Sequence, residues 1–204
     1  MKRVILLLVL ILLVVVVYWV FFKKNRDTIE NVEPAPLAVT NKSDSFNTAV
    51  GNMLASYYEV KDAFVDWDVE KVDRSAVLLK TLADSLPLDQ LKADTTIVQM
   101  ADNYAGTISA EVAGILGEKK IEEKRRSFYT LSEALYELLR TVRYDGEVIY
   151  HQHCPMAFND TDEAFWLSNK NQVVNPYLGS KHPKYKGTML HCGDITDSLD
   201  FRGR

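Results

Sequence analysis

Between Asn47 and Arg143 apolar residues recur every three or four positions in four segments, each closed by a helix-breaking residue. Only a helix gathers such residues on one face, so the spacing predicts four amphipathic helices. The first carries Val50, Leu54, Tyr57, Tyr58, Lys61, Phe64 and Val65 and ends near Asp66. The second opens at Asp68, whose short carboxylate suits an N-cap, and runs through Val69, Val72, Ala76, Leu79, Leu82 and Leu86 until Pro87 stops it. The third starts near Asp94 to Thr96, stacks Ile97, Met100, Ala101, Tyr104, Ile108, Val112 and Ile115, and closes at Gly117. The fourth begins at about Glu118 and carries Ile121, Phe128, Leu131, Leu135, Leu138, Leu139 and Val142 up to Asp145-Gly146. Its opening run, Glu118 to Arg126, reads as a solvated face laced by charge pairs. Short connections make successive helices antiparallel neighbours, so the expected fold is all-α: an antiparallel four-helix bundle over residues 47–145. Residues 146–204 then form a loop-rich cap of the same domain, with short extended segments.

Ahead of the bundle, Val4 to Phe22 is an unbroken apolar and aromatic run, long enough as a helix to cross the ~30 Å hydrocarbon core of a bilayer. Tyr18, Trp19, Phe21 and Phe22 crowd its end, where a cleaved signal peptide would have small residues. An uncleaved transmembrane anchor over residues 4–22 is expected, after a short end at residues 1–3. Lys2 and Arg3 on one side nearly cancel Lys23, Lys24 and Arg26 on the other, so charge does not orient it. Residues 23–46, with Pro34, Pro36, Asn41, Ser43 and Ser45, read as a linker. A net charge of -4 without a basic stripe speaks against nucleic acid as a partner.

Any chemistry has to lie after Gly146, where all four histidines (151, 153, 182 and 191), both cysteines (154 and 192), Met156 and Met189 fall. Glu147 to His153 is strand-like, which puts His151 and His153 on one face about 6.6 Å apart, with Cys154 and Met156 pointing the other way. If Thr188 to Gly193 is also extended and pairs with it, one face collects His151, His153, Met189 and His191 while Cys154 meets Cys192 on the other. Two readings follow. A Cys154–Cys192 disulfide would close a long loop and stabilise by roughly 4 kcal/mol. A soft-metal site would use thiolate and thioether donors that select copper(I), with imidazoles that accept copper or zinc. Cys-x-x-Cys zinc pairs and the Cys-x-x-Cys-His haem motif are missing. Asp160, Asp162 and Glu163 lack calcium-loop spacing and are expected to cap a short helix near Thr161. With no P-loop, G-x-S-x-G or H-E-x-x-H, and with His153 and Cys154 diverging as neighbours in a strand, no enzyme is expected.

The ordered motifs Cys154-Pro155-Met156-Ala157, Trp166-Leu167-Ser168, Asn175-Pro176-Tyr177-Leu178-Gly179, Met189 and Cys192-Gly193 carry a resemblance, together with Phe128, Leu131-Ser132 and Ala134-Leu135-Tyr136 upstream. Over about Asn47 to Asp200 the chain resembles an uncharacterised helical domain of Gram-negative cell envelopes. That domain occurs alone or attached to periplasmic adaptor subunits of copper/silver efflux systems. The resemblance implies a periplasmic bundle on a single-pass inner-membrane anchor, amino terminus inside, with a metal-efflux or envelope protein as partner. The adaptor's own hairpin and lipoyl-like parts are missing, and Ser180 to Thr188 is longer than usual. Trp166 and Tyr177 read as apolar anchors, Asn175-Pro176 as a turn, and Gly179 and Gly193 as positions of positive φ. The expected function is binding or buffering of copper(I) through His151, His153, Met156, Met189 and His191, with Cys154 and Cys192 either ligating or bonded together. The alternative is a metal-free, disulfide-capped helical interaction module.

Overall fold

A computed structural model of the protein describes residues 39–203. The four helices are α1 (Asp44–Val65), α2 (Val69–Asp84), α3 (Thr95–Gly117) and α4 (Ile121–Val142). Their ends follow local chemistry. Ser43 Oγ accepts from the Phe46 N–H at 3.0 Å, and the predicted cap Asp68 accepts from the Lys71 N–H at 2.9 Å, each satisfying a donor that the first helical turn leaves free. Between α1 and α2 the chain reverses through Trp67, which sits at φ 57°.

Side-chain pairs fix the helix directions. Ser56 in α1 reaches the Ser75 carbonyl in α2, Lys80 in α2 meets Ser109 in α3, and Lys124 at the start of α4 meets Ile115 O near the end of α3. Phe64, at the end of α1, packs on Phe128 near the start of α4 with ring centroids 4.9 Å apart, while Asn47 at the other end of α1 bonds Asp145 just beyond α4. The four helices therefore run up and down around one core, in which Phe46, Leu54, Tyr57, Leu79, Ile108 and Phe128 are fully buried.

The remainder is not helical, and the all-α expectation is corrected to α plus β. A ribbon of β1 (Val39–Lys42) and β2 (Leu91–Ala93) pairs antiparallel near the amino end of the bundle. After α4, β3 (Ile149–Phe158), β4 (Asp162–Ser168) and β5 (Asp194–Leu199) form an antiparallel sheet in the order β4-β3-β5. Asn159 and Asp160, at φ 53° and 63°, make the tight reversal between β3 and β4 that right-twisted hairpins favour. Asp162 consequently starts a strand, where the acidic cluster had suggested a helix cap. Thr188 to Gly193, expected to pair with β3, is a succession of turns, and the strand beside β3 is instead the polar segment Asp194–Leu199, in which only Leu199 is buried.

One face of the sheet packs on α4, where Tyr136 stacks on His151 and Tyr129 on Phe165. The other lies under residues 169–193: Gln152 Nε2 donates to the Lys170 and Gln172 carbonyls, and Trp166 meets Tyr177 edge-on. The expected anchors Trp166 and Tyr177 are buried, and Gly179 and Gly193 have φ of 57° and 131°. No described helix is long and apolar enough to cross a membrane, and the run 4–22 on which the transmembrane expectation rests lies outside the described residues. The charges of the Glu118 to Arg126 run are exposed as expected except at two positions. Its Lys124 and Arg125 are 1% and 2% exposed, because they fall on the buried stripe of α4 between Ile121 and Phe128.

Candidate functional site

Alternation along β3 does put His151 and His153 on the same face, toward α4. Phe165 of β4, opposite His153 in register, comes between them. Tyr136, His151, Phe165 and His153 form a column with successive centroid separations of 4.1, 4.8 and 4.7 Å. With a benzene ring between the two imidazoles, they cannot close on one ion. Each imidazole is already engaged: His151 Nε2 lies 2.8 Å from Glu133 and Nδ1 lies 3.3 Å from Thr196. His153 has Nδ1 and Nε2 each 3.0 Å from a carboxylate, Asp194 of β5 and Glu163 of β4, so one ring ties all three strands together.

The other expected donors are dispersed. His191 sits exposed on the loop, its Nδ1–H donating to the Val173 carbonyl at 2.7 Å, and Met156 and Met189 are half-buried against the core. Cys154 is buried on the sheet face opposite His153, beside Cys192 and Asn175. Burial pushes the Cys154 thiol above its ordinary range, and the neighbouring Cys192 adds to that push, while hydrogen bonds from Met156 and Asn175 oppose it. Both cysteines are free, so the expected disulfide is not formed. Among the described residues no group of three or more His, Cys, Asp or Glu is placed to hold a metal ion. The proposed copper(I) set His151, His153, Cys154, Met156, Met189, His191 and Cys192 thus does not converge as a whole: His151 and His153 lie on one face of the sheet, Cys154 with Cys192 on the other, and His191 on the exposed loop. Nearness in sequence did not become convergence in space.

What the structure does build is a pocket of about 220 Å³ where the end of α1, the start of α4 and the cap meet, bounded by Trp67, Arg125, Arg126, Phe158, Tyr177 and His182. At its edge lies Arg125. Nε donates to the Pro176 carbonyl and Nη2 to the Phe64 carbonyl, both at 2.9 Å, and the guanidinium lies 3.9 Å from the centroid of the Trp67 ring. Phe64 O belongs to the last turn of α1, where the helix dipole favours a cation. Burial lowers the Arg125 pKa to about 9, with Glu122 partly offsetting it, so the group stays charged at neutral pH. Arg126 lies over Phe158 at 4.7 Å and pairs with Glu123 at 3.9 Å.

The cap is pinned around this pocket. Trp67 Nε1–H donates to the Leu178 carbonyl, and Ser180 donates through both N–H and Oγ to the Val65 carbonyl. A Cβ on Gly179 would lie 2.6 Å from Trp67 Nε1 and 2.7 Å from Val65 O, so the crossing needs glycine. His182 stands edge-on to Trp67, and Lys184 and Tyr185 both bond Asp160 at the β3–β4 turn. None of these pocket residues was singled out from sequence as a binding group. The available signal was that Arg125 falls four residues after Ile121 and three before Phe128, an inward position for a charge.

Residues 53–145 match a family described as a protein of unknown function, DUF3347. This chain carries a DUF3347 domain. The match begins within α1 and ends before β3, so the DUF3347 segment supplies Trp67, Arg125 and Arg126 to the pocket, while Phe158, Tyr177 and His182 lie beyond it. No curated protein and no solved structure matches the chain.

Proposed function

We propose that the chain is a non-catalytic recognition module of the cell envelope: a four-helix platform whose C-terminal cap, clasped to one end of the bundle, offers a pocket to a ligand. The observation that carries this reading is the Arg125 guanidinium, 2% exposed, at the edge of that pocket and without a salt bridge to a carboxylate among the described residues. Burying a charge costs several kcal/mol, and an apolar side chain of similar size would fill the same space at less cost. A guanidinium carries five N–H donors, and two protein carbonyls engage it here, which leaves capacity for a bound group.

The non-catalytic part of the proposal is supported by Cys154, whose buried thiol is held protonated on the sheet face away from His153. The same proposal places the domain in the periplasm, tethered to the inner membrane through the apolar run 4–22. A metal-efflux or other envelope protein is the partner suggested by the sequence resemblance.

The test is a screen of small fragments of mixed charge against the full isotope-labelled chain in detergent, read by NMR. Saturable shifts confined to residues around Trp67, Phe158 and His182 are expected. A folded chain in which no fragment moves those residues overturns the reading.

A further inference from the structure

Two acids, Glu122 and Glu123, and two guanidiniums, Arg125 and Arg126, line the pocket, and burial rather than their sum makes its charge uneven. Arg126 is paired with Glu123 at 3.9 Å and Glu122 is exposed to solvent, whereas Arg125 is buried, held by two carbonyls and without an ion pair among the described residues. His182 Nδ1 accepts from the backbone N–H groups of Lys184 and Tyr185, both at 3.2 Å, so a neutral ring carries its proton on Nε2. Burial and the nearby Arg125 both lower the His182 pKa, which keeps that ring neutral. The aromatic rings that could stack a cationic ligand each carry a guanidinium, Arg125 over Trp67 and Arg126 over Phe158, so a cation there would meet like charge. An anion is therefore the complementary charge, and a guanidinium fork matches a carboxylate best.

Size narrows the class further. A pocket of about 220 Å³ exceeds the ~150 Å³ cavity that takes up benzene, and falls short of the ~300–1,000 Å³ of sites for drug-sized ligands. We propose that this pocket binds a small organic carboxylate of one-ring size, its carboxylate on Arg125 and the His182 N–H and its apolar body against Phe158 and Tyr177. The inference rests on the recognition reading and specifies its ligand.

Benzoate, benzamide and benzylammonium, three probes of one shape and different charge, test it on the full chain in detergent through the Trp67 indole N–H resonance. Benzoate is expected to bind saturably with a Kd below about 1 mM, and benzamide about tenfold more weakly. Arg125→Lys should weaken benzoate about tenfold while leaving benzamide unchanged. Because Arg125 also holds Phe64 and Pro176, His182→Ala is measured beside it. That variant keeps both carbonyl contacts and should weaken benzoate severalfold. If benzamide or benzylammonium binds as tightly as benzoate, the carboxylate assignment falls and the recognition reading stands. If none of the three binds, the carboxylate assignment falls as well, and the mixed-charge fragment screen alone decides the recognition reading.

Discussion

The backbone N–H of Leu167 in β4 donates to the hydroxyl oxygen of Tyr57 in α1 at 3.0 Å, across a separation of 110 positions in sequence. The Tyr57 hydroxyl lies 2.7 Å from Ser132 Oγ, which donates to the Phe128 carbonyl in α4. One buried phenol thus links the sheet to two helices, and it is a donor and an acceptor at once.

Tyr57→Phe removes both roles and leaves the Leu167 N–H buried without its partner. The expected loss is about 1–3 kcal/mol in urea denaturation. Ser132→Ala should cost less, and a double-mutant cycle between the two should show coupling, since they share one hydrogen bond.

Alkaline pH should unfold the protein from about pH 10 upward. Burial, the largest cause in each case, raises the pKa of Tyr57, Tyr58 and Tyr177 well above the ordinary ~10. The folded chain therefore holds protons that the unfolded chain releases, and their contribution is complete below about pH 10 and lost above it. Arg125, lowered to about 9, acts with the opposite sign, because the folded state gives up its proton first and gains relative stability as pH rises past that value. Three phenols outweigh one guanidinium. Circular dichroism and phenolate absorbance, followed together, should change in one step.

The two histidines of the ring column should behave differently. His151 is buried between Tyr136 and Phe165, so His151→Ala opens a gap in the column and should cost about 2–4 kcal/mol. His153 meets Asp194 and Glu163, whose carboxylates are largely exposed, and solvent screening should hold His153→Ala to about 1 kcal/mol or less. Chemical denaturation with and without a chelator measures both, and a chelator should change neither.

Glycine substitutions should split by position. A Cβ on Gly193 would stand 2.1 Å from the His153 carbonyl oxygen at a φ of 131°, so Gly193→Ala should destabilise by about 2 kcal/mol or more. Gly106, within α3, has nothing within 4 Å of an added Cβ, and Gly106→Ala should stabilise by about 1 kcal/mol. Thermal melts of the two variants should move in opposite directions.

Alkylation of the native protein should label Cys192 before Cys154. Cys192 is half-buried on a turn, whereas Cys154 is fully buried and its thiol is held protonated. Mass spectrometry after a timed maleimide pulse resolves the order, and equal rates would contradict the burial of Cys154.

The helices were legible because their signals are local: apolar spacing within each segment, Asp68 before α2 and Gly117 at the end of α3. The sheet was half legible. β3 shows apolar and aromatic residues after a turn, whereas β5 is an edge strand whose exposed residues leave no alternation to see. β4 was hidden because Asp162 and Glu163 imitate the acidic start of a helix, although Phe165, Trp166 and Leu167 favour a strand. The pocket was not legible, since Trp67, Arg125 and His182 come together only when the cap folds over the end of α1. The expected pairing of two imidazoles was lost for a related reason: His151 and His153 share a face, but the ring filling the space between them is supplied by another strand.

The clasp at the end of α1 also bears on the order in which the chain can mature. Val65 O receives Ser180, and the Trp67 indole finds its acceptor at Leu178, partners that leave the ribosome more than a hundred residues later. Until then the Val65 carbonyl and the Trp67 indole at the end of α1 lack these partners, and closing so long a segment is slow compared with forming any one helix. The last quarter of the polypeptide is in that sense what completes the end of α1.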